Sequence, residues 1–246
     1  MNKHPCSIAL VTGAASGIGR AIAQRLVSEG LKVYALDRDA SKLNTLAKEC
    51  GVLPITLDLR DTSPLLELFD QTAIDVVVNN AGLLPAIAKF TDRPSADIDS
   101  MIDINLRAPL RITHMALDGM VKRKRGHLFF VGSSAGRLPH PNTAVYGATK
   151  AAISLFCDSL RCDLLGSKIR VTEIAPGRVQ TSLYRTALGE ATADDKLYTG
   201  YRSIQPEHIA ELIVNAMTLP DYVDVSRIEV FPTDQAAGGS QIVSVS

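Results

Sequence analysis

The sequence predicts a doubly wound α/β fold, in which a parallel sheet of about seven strands carries helices on both faces. Short apolar runs alternate with helix-like segments along the chain, as they do in sheets built from β-α-β units. The run Ile74–Val78 is apolar at every position but one, which indicates a strand covered on both faces. No linker, repeat or low-complexity run divides the 246 residues. We therefore expect a single domain over residues 1–246.

Each predicted strand is a run of four to seven mostly apolar residues. In chain order the strands are Ile8–Val11, Lys32–Leu36, Val52–Leu57, Ile74–Val78, His127–Gly132, Ile169–Ala175 and Arg227–Phe231. The segments between them have helical patterns. In chain order the predicted helices are Gly17–Glu29, Ala40–Glu49, Pro64–Gln71, a long pattern over Ser95–Lys124, Val145–Leu165 and Pro206–Met217.

Residues 181–203 differ from the rest of the chain. The segment is polar, contains Gly189 and Gly200, and has weak periodicity. We expect an inserted helix-loop segment, which is typical of a lid, and its tyrosines Tyr184, Tyr198 and Tyr201 could fold over a substrate. We expect this lid to be mobile without ligand and to be protected when cofactor and substrate bind.

The composition is that of an ordinary globular protein. Hydrophobic residues make up 46% and charged residues 21%, which excludes a disordered chain. Equal numbers of basic and acidic side chains, 26 each, give no overall signal for nucleic acid or an anionic membrane. No apolar run approaches the roughly 18 residues of a membrane span, and the N-terminus lacks a secretory signal. We expect a cytoplasmic protein that binds neither nucleic acid nor a membrane.

The cysteines and histidines do not have the spacing of a metal site. The four cysteines form no CxxC pair, and the five histidines form neither HxxxH nor HExxH. We therefore expect reduced thiols and no bound metal.

A glycine-rich turn, TGAASGIG at residues 12–19, follows the first predicted strand and leads directly into a helix. Gly13 permits the sharp turn, Gly17 lets backbone approach a pyrophosphate, and Gly19 lets the helix pack closely on the sheet. The helix N-terminus then attracts the phosphates. A purely structural turn also uses glycine, but an acidic residue 18 positions beyond Gly19 favours a Rossmann-type dinucleotide site.

That acidic residue, Asp37, ends the second predicted strand. A carboxylate there accepts hydrogen bonds from the hydroxyls of the adenosine ribose and repels a 2′-phosphate, which favours NAD over NADP. Arg38 follows directly and could pair with that phosphate. An NADP-linked carbonyl reductase is therefore the alternative.

Tyr146 and Lys150 lie four residues apart in a predicted helix and share one of its faces. An ammonium near a phenol lowers the pKa of the phenol, and such a tyrosine can exchange a proton with a substrate oxygen. Ser133 ends a predicted strand 13 residues earlier, where its hydroxyl could bind the same oxygen. A lone YxxxK pair is common on exposed helices, but its combination with the glycine turn is much more specific.

With these residues, the chain resembles the short-chain dehydrogenase/reductase family over essentially its whole length. The segments 12–19, 79–82 (NNAG) and 176–181 (PGRVQT) are similar to family motifs. The resemblance implies that Tyr146 is the general acid/base, that Lys150 binds the nicotinamide ribose and that Ser133 holds the reacting oxygen. It also implies that Asn105 anchors a water in a proton relay.

The same resemblance, together with the turn, implies a cofactor-binding set. Its members are Gly13, Ser16, Gly17, Ile18, Gly19, Asp37, Arg38, Asp58, Leu59, Asn80, Ala81, Gly82, Tyr146, Lys150, Pro176, Gly177, Val179 and Thr181. Family spacing to the tyrosine selects Ser133 rather than Ser134 as the catalytic serine.

The C-terminal third, Pro206–Gln235, resembles the serine and 3-hydroxy acid dehydrogenase subgroup. That subgroup is usually NADP-linked, with basic residues where this chain has Leu36-Asp37-Arg38. The resemblance implies an oxidoreductase for an alcohol or carbonyl substrate, with a small hydroxy acid as one candidate. A non-catalytic nucleotide-sensing protein is a further alternative, and the intact Ser133, Tyr146 and Lys150 count against it.

We expect residues 83–87, 134–145 and 177–201 to wall the substrate pocket. The apolar wall residues would be Leu83, Leu84, Leu138, Val145, Leu183 and Tyr184, whereas Arg178 and Arg185 could pair with a carboxylate and His140 could face the substrate. The family resemblance also implies a homotetramer, or a homodimer, that pairs the helices Arg107–Lys124 and Val145–Leu165. The second of these carries apolar residues beyond the needs of one core face, namely Ala151, Ala152, Leu155, Phe156 and Leu160.

Overall fold

A computed structural model of the chain describes residues 6–189, 199–237 and 242–243. Its seven strands are β1 (Ile8–Thr12), β2 (Lys32–Asp37), β3 (Leu53–Thr56), β4 (Val76–Asn79), β5 (Gly126–Val131), β6 (Ile169–Pro176) and β7 (Arg227–Val230). All are parallel, in the order β3-β2-β1-β4-β5-β6-β7. The predicted seven-stranded parallel sheet is confirmed.

The helices cover both faces of this sheet. They are α1 (Gly17–Ser28), α2 (Ala40–Cys50), α3 (Leu65–Gln71), α4 (Ser95–Ile102), α5 (Ala108–Arg123), α6 (Ala144–Asp163), α7 (Ser182–Leu188) and α8 (Pro206–Thr218). One hydrophobic cluster joins the sheet to α1, α2 and α8, and a second joins the opposite face to α3, α5 and α6. Among the described helices, none is both long and apolar enough to cross a membrane.

The strand order reverses between β1 and β4, which are neighbours although two strands separate them in sequence. Crossovers leave these two strands toward opposite faces, so a crevice opens beyond their carboxyl ends. The glycine-rich turn and the NNAG segment follow β1 and β4, respectively. The topology therefore brings the two motifs to the same edge of the sheet.

The helical pattern predicted over Ser95–Lys124 forms two helices, because a π-helical turn at Asp103–Arg107 separates α4 from α5. Pro109 has no N–H, so the carbonyl of Asn105 lacks the donor that an α-helix would provide four residues later. Single π turns of this kind occur often at functional sites. Apolar spacing alone did not indicate the interruption.

Candidate active site

A cleft of about 400 Å³ opens at the carboxyl edge of the sheet, beyond β1, β4, β5 and β6. Seventeen of the eighteen residues predicted to bind a cofactor line this cleft, including Tyr146 and Lys150, and the exception is Gly19. Ser133 lines it as well, whereas Asn105 does not. The structure therefore brings together residues that span more than 160 positions of the sequence, from Gly13 to Thr181.

The glycine turn forms a backbone cradle at one end of the cleft. Gly13 and Gly17 have positive φ angles of 66° and 51°, which side chains other than glycine rarely adopt. A Cβ atom on Gly19 would overlap the carbonyl of Gly13. Ser16 forms the N-cap of α1 without a side-chain hydrogen bond to the helix, and this arrangement fits the pyrophosphate of a dinucleotide.

Asn80 fixes the cradle to the neighbouring strand. Its Nδ2 donates to the carbonyls of Thr12 at 2.9 Å and Gly13 at 3.3 Å. The Thr12 hydroxyl in turn accepts hydrogen bonds from the backbone N–H groups of Asn80 and Ala81, both at 3.1 Å. The NNAG segment thus holds the shape of the turn as well as lining the cleft.

Asp37 lies at the adenosine end of the cleft, where its carboxylate is held by backbone groups. Oδ2 accepts from the N–H of Ala15 and Oδ1 from the N–H of Asp39, both at 3.1 Å. Arg38 lines the cleft beside it. The carboxylate therefore has a fixed position next to the site expected for the adenosine ribose.

Asp58 and Arg60 form a second charged pair at this end. Both carboxylate oxygens of Asp58 accept hydrogen bonds from the Arg60 guanidinium. This contact lowers the pKa of Asp58 to about 2. The sequence analysis did not single out Arg60, since its role depends on a turn that brings the guanidinium back over the end of β3.

Tyr146, Lys150 and Ser133 meet at the other end of the cleft, where all three are buried. The side chains of Ser133 and Tyr146 are hydrogen-bonded, and Ser133 Oγ also accepts from the N–H of Ala135 at 3.1 Å. Lys150 Nζ donates to the carbonyl of Val131 at 2.7 Å and lies 5.8 Å from the centroid of the Tyr146 ring. Because Ser134 begins a 3₁₀ turn and does not line the cleft, the geometry favours Ser133.

Burial opposes the charged forms of both titratable groups. It raises the pKa of the Tyr146 phenol, to which the nearby Tyr184 also contributes, whereas the hydrogen bond from Ser133 acts in the opposite direction. Burial also lowers the pKa of Lys150 to about 8, although Glu173 partly offsets this. The expectation that Lys150 lowers the pKa of Tyr146 is therefore wrong for the chain without ligands, because loss of hydration dominates.

Asn105 lies behind the cleft in the π turn, where its side-chain amide is hydrogen-bonded to the backbone of Leu83 and to Thr149. Oδ1 accepts from the N–H of Leu83 at 2.6 Å, and Nδ2 donates to the Leu83 carbonyl at 2.9 Å and to Thr149 Oγ1 at 3.3 Å. The side chain therefore positions the pocket wall. A water relay through this residue would have to use its backbone carbonyl. This carbonyl has no helical donor four residues later, because Pro109 lacks an N–H.

The segment after β6 closes the nicotinamide end of the cleft. Gly177 donates its N–H to the Val230 carbonyl at 2.7 Å, and a Cβ atom on Gly177 would lie within 3 Å of Phe231 and Gln235. Thr181 is the N-cap of α7 and approaches Gly17 from the opposite side of the cleft. The PGRVQT segment thus spans the space between the two halves of the sheet.

The predicted substrate wall is only partly present in the cleft. Leu83, Leu84, Leu183 and Tyr184 line it. Leu138 and Val145 do not, and Val145 packs instead against Tyr146 and its neighbours in a small apolar cluster. Residues 190–198 of the predicted lid, including Tyr198, lie outside the described residues.

Arg178 and His140, which were predicted to meet the substrate, do not line the cleft. Each has a buried nitrogen without a hydrogen-bond partner in the described part of the chain, namely Arg178 Nη1 and His140 Nε2. Arg178 is hydrogen-bonded to Tyr201 through another atom. Burial lowers the pKa of His140, and the charge of Arg178 adds to this effect. An unpartnered guanidinium nitrogen at this position is suited to an anionic group.

Several lining residues were not predicted. They are Leu57, Arg60, Ser100, Ile104, Val131 and Gly132, whereas the further lining residues Ser182 and Thr186 fall in the predicted wall segment 177–201. Leu57, Val131 and Gly132 belong to predicted strands, whose apolar pattern does not indicate a cleft. Among the described residues, no group of three or more His, Cys, Asp or Glu side chains is placed to hold a metal ion.

A family model for short chain dehydrogenases matches residues 7–191. The chain belongs to this family. Like its other members, it is an oxidoreductase that uses a nicotinamide cofactor to act on CH–OH or carbonyl groups.

The short-chain dehydrogenase is similar to several curated proteins over nearly its whole length. An uncharacterised short-chain type dehydrogenase/reductase of Sinorhizobium fredii is 54% identical, with 100% of this chain and 98% of the relative covered. Sulfoacetaldehyde reductase 2 of Chromohalobacter salexigens is 39% identical (93% and 95% covered). An NADP-dependent 3-hydroxy acid dehydrogenase of Salmonella typhi is 37% identical (96% and 98% covered).

The chain is also similar to a solved structure over nearly its whole length. The closed form of a serine dehydrogenase complexed with NADP⁺ matches with a TM-score of 0.89 and 34% identity, covering 93% of this chain and 96% of that one. The predicted resemblance to the serine and 3-hydroxy acid dehydrogenases is confirmed.

Proposed function

We propose that this short-chain dehydrogenase transfers a hydride between NAD and a small hydroxy acid or its oxo acid. The observation that carries the choice of substrate is the buried, unpartnered nitrogen of Arg178. Arg178 does not itself line the cleft, but it lies close enough to the lining residue Tyr184 for its charge to act on the phenol. Tyr184 lies near both Tyr146 and Arg178, since its phenol contributes to raising the pKa of Tyr146 and the charge of Arg178 acts to lower the pKa of Tyr184. A substrate with its reacting oxygen at Tyr146 and an anionic group at Arg178 would fit this arrangement.

Tyr146 is the proposed general acid/base. In reduction, its hydroxyl gives a proton to the carbonyl oxygen, and in oxidation the phenolate takes the proton of the alcohol. The nicotinamide ring supplies or accepts the hydride when bound. Ser133, which is hydrogen-bonded to Tyr146, holds the reacting oxygen beside the phenol. The positive charge of Lys150 stabilises the phenolate, and its ammonium group binds the nicotinamide ribose.

The proposed preference for NAD rests on Asp37. Its carboxylate is fixed by two backbone N–H groups at the point where a 2′-phosphate would approach, and the repulsion disfavours NADP. Two relatives are described as NADP-dependent or complexed with NADP⁺, so the alternative is an NADP-linked reductase. Arg38 and Arg60 line the cleft and would be its phosphate ligands, but Arg60 is already paired with Asp58.

The substrates for which two relatives are named support an anionic substrate for this chain. One acts on 3-hydroxy acids and the other on sulfoacetaldehyde, and both kinds of molecule carry an anionic group a short distance from the reacting carbon. Arg178 can recognise either anion through charge-assisted hydrogen bonds. His140 adds a second nitrogen near the same position.

A matched set of substrates tests this proposal. Initial rates are measured at the nicotinamide absorbance for short hydroxy acids and for their uncharged methyl esters. We expect kcat/KM to favour the acids, and Arg178→Gln to lower the value for the acids by about 10- to 100-fold while changing that for the esters little. Arg137→Gln, which removes an exposed arginine paired with Glu229, is the control. Equal rates for acids and esters in the wild type would contradict the proposal.

A further inference from the structure

Glu173 is a buried carboxylate directly behind the proposed catalytic groups. It lies on β6 and is only 1% exposed. Its Oε2 accepts hydrogen bonds from Ser154 Oγ at 3.0 Å and from Arg227 Nε at 2.7 Å, and Arg227 also contacts Ser154. The carboxylate therefore joins β6 to α6 and β7, and none of the sequence motifs includes it.

Two contacts connect Glu173 to the catalytic end of the cleft. A Cβ atom on Gly132 would overlap Glu173 Oε1, so the carboxylate packs on the backbone immediately before Ser133. Ser154 lies one helical turn after Lys150, and so the two side chains share the α6 face that meets the sheet. Lys150 itself binds the carbonyl of Val131, the residue before Gly132.

We propose that Glu173 is a positioning residue, whose negative charge keeps Lys150 protonated and whose carboxylate supports the turn that carries Ser133. A buried anion near a lysine favours the ammonium form. Without it, the buried Lys150 would lose its proton at lower pH, together with its ability to stabilise the Tyr146 phenolate. This inference rests on the roles proposed above for Lys150 and Tyr146.

The charged and titratable groups around Lys150 and Glu173 are consistent with this role. Tyr146 is the titratable neighbour of Lys150 on α6, and Glu173 is the anion from the sheet that favours its ammonium form. Arg227 from β7 balances the charge of Glu173 and also pairs with Asp158 at the surface end of the network. Cys157, on α6, has its pKa raised by burial and by Glu173, and so stays a thiol.

The test separates the charge of Glu173 from its shape. Glu173→Gln keeps the shape and removes the charge, whereas Glu173→Asp keeps the charge on a shorter side chain. The pH dependence of kcat/KM is measured with NAD and 3-hydroxybutyrate, and the dissociation constant of NADH is measured over the same pH range. We expect Glu173→Gln to move the alkaline fall of kcat/KM, and the alkaline weakening of NADH binding, to lower pH by about 0.5–1 unit. Glu173→Asp should keep the wild-type midpoint.

Glu229→Gln is the matched control, since Glu229 lies on the neighbouring strand β7 and is paired with Arg137. If Glu173→Gln does not fold, the double variant Glu173→Gln/Arg227→Gln removes both charges of the buried pair and is measured in the same way. A uniform loss of activity with an unchanged alkaline midpoint would overturn the proposal and leave Glu173 a structural residue. Failure of the proposed function is distinguishable, because the wild type would then not turn over 3-hydroxybutyrate, whereas the difference in the pH dependence of NADH binding between the wild type and Glu173→Gln would still be measured.

Discussion

Burial governs the protonation of the side chains at the centre of the cleft. Tyr146 and Lys150 are each 5% exposed, and loss of hydration raises the pKa of the phenol and lowers that of the ammonium. At neutral pH the phenol therefore keeps its proton, whereas Lys150, with a pKa of about 8, still carries a positive charge. The positive charge that an oxidised nicotinamide brings to such a site favours the phenolate, so proton transfer is expected to be coupled to occupation of the cleft.

At the adenosine end, we predict that NAD binds more tightly than NADP because of the charge of Asp37. Asp37→Asn retains most of the side-chain shape but removes the repulsion of a 2′-phosphate. It should narrow the ratio of the two dissociation constants by about 10-fold, as measured by calorimetry. Asp39→Asn is the control, since Asp39 caps α2 and pairs with Lys42 outside the cleft. Wild-type protein that prefers NADP would contradict the prediction.

His127 makes stability depend on pH. It is buried on β5, where Nε2 contacts Thr172 Oγ1 at 2.8 Å, and burial lowers its pKa well below the usual value. The folded chain therefore keeps His127 neutral while the unfolded chain binds a proton below about pH 6.5. The free energy of unfolding should fall below that pH by up to about 1.4 kcal/mol per pH unit.

Denaturant unfolding at a series of pH values measures this slope. His127→Gln should reduce the slope below pH 6.5 relative to the wild type, even if it lowers stability overall. His114→Gln removes an exposed histidine of α5 and should leave the slope in place. An unchanged slope in His127→Gln would mean that other groups cause the acid sensitivity.

Among the elements, α1 depends most on one glycine. Gly19→Ala places a Cβ against the Gly13 carbonyl and Asn80 Nδ2, so the helix must move away from the sheet or the cradle must open. We expect a loss of several degrees in Tm and at least about 10-fold weaker NAD binding. Gly119→Ala, within α5, meets only the flexible end of Arg123 and should stabilise the protein by up to about 1 kcal/mol. Equal behaviour of the two variants would show that close packing at Gly19 is not required.

Individual turns and helices differ in how well the sequence predicts them. The glycine turn, the NNAG segment and the Tyr146–Lys150 pair were identified because each is a local pattern whose geometry follows from a single helix or turn. The π turn around Asn105 was missed, since apolar spacing continues through it and only Pro109 indicates the break. The helix α7 lies in the segment expected to be a helix-loop insertion, but its bounds were not predicted, because its seven residues show too little periodicity.

For the whole molecule, we predict a homotetramer in which α5 and α6 pair with copies of themselves. Leu155 on α6 is 67% exposed beside the exposed Ala151, which leaves an apolar strip for an isologous contact. Leu160 is only 7% exposed and Phe156 packs on the core, so these two residues do not belong to that strip, contrary to expectation.

Light scattering with inline chromatography tests the assembly. Leu155→Lys should reduce the mass to that of a dimer or monomer, whereas Leu66→Lys, at an exposed leucine of α3, should not. A wild-type monomer at micromolar concentration would contradict the prediction.

Long-range contacts set the remaining limit on prediction from sequence. The apolar runs were enough to predict the strands and the parallel sheet, but the buried network of Glu173 joins residues that are 19 and 54 positions apart. The environment of Arg178 depends on His140 and Tyr201, which come close to it from other parts of the sequence. No local pattern marks such residues, since their environment is created by the packing of the whole fold.

Replacing Tyr146 by phenylalanine tests the central claim most directly, because it removes the proton-bearing oxygen and keeps the ring. Turnover of a hydroxy acid at the nicotinamide absorbance and the dissociation constant of NAD are measured on the same preparation, with Tyr222→Phe, at an exposed tyrosine, as the control. We predict that Tyr146→Phe loses about 10²–10⁴-fold or more in kcat while it binds NAD nearly as tightly as the wild type. If Tyr146→Phe retains most of its kcat, the general acid lies elsewhere and the proposed mechanism is wrong.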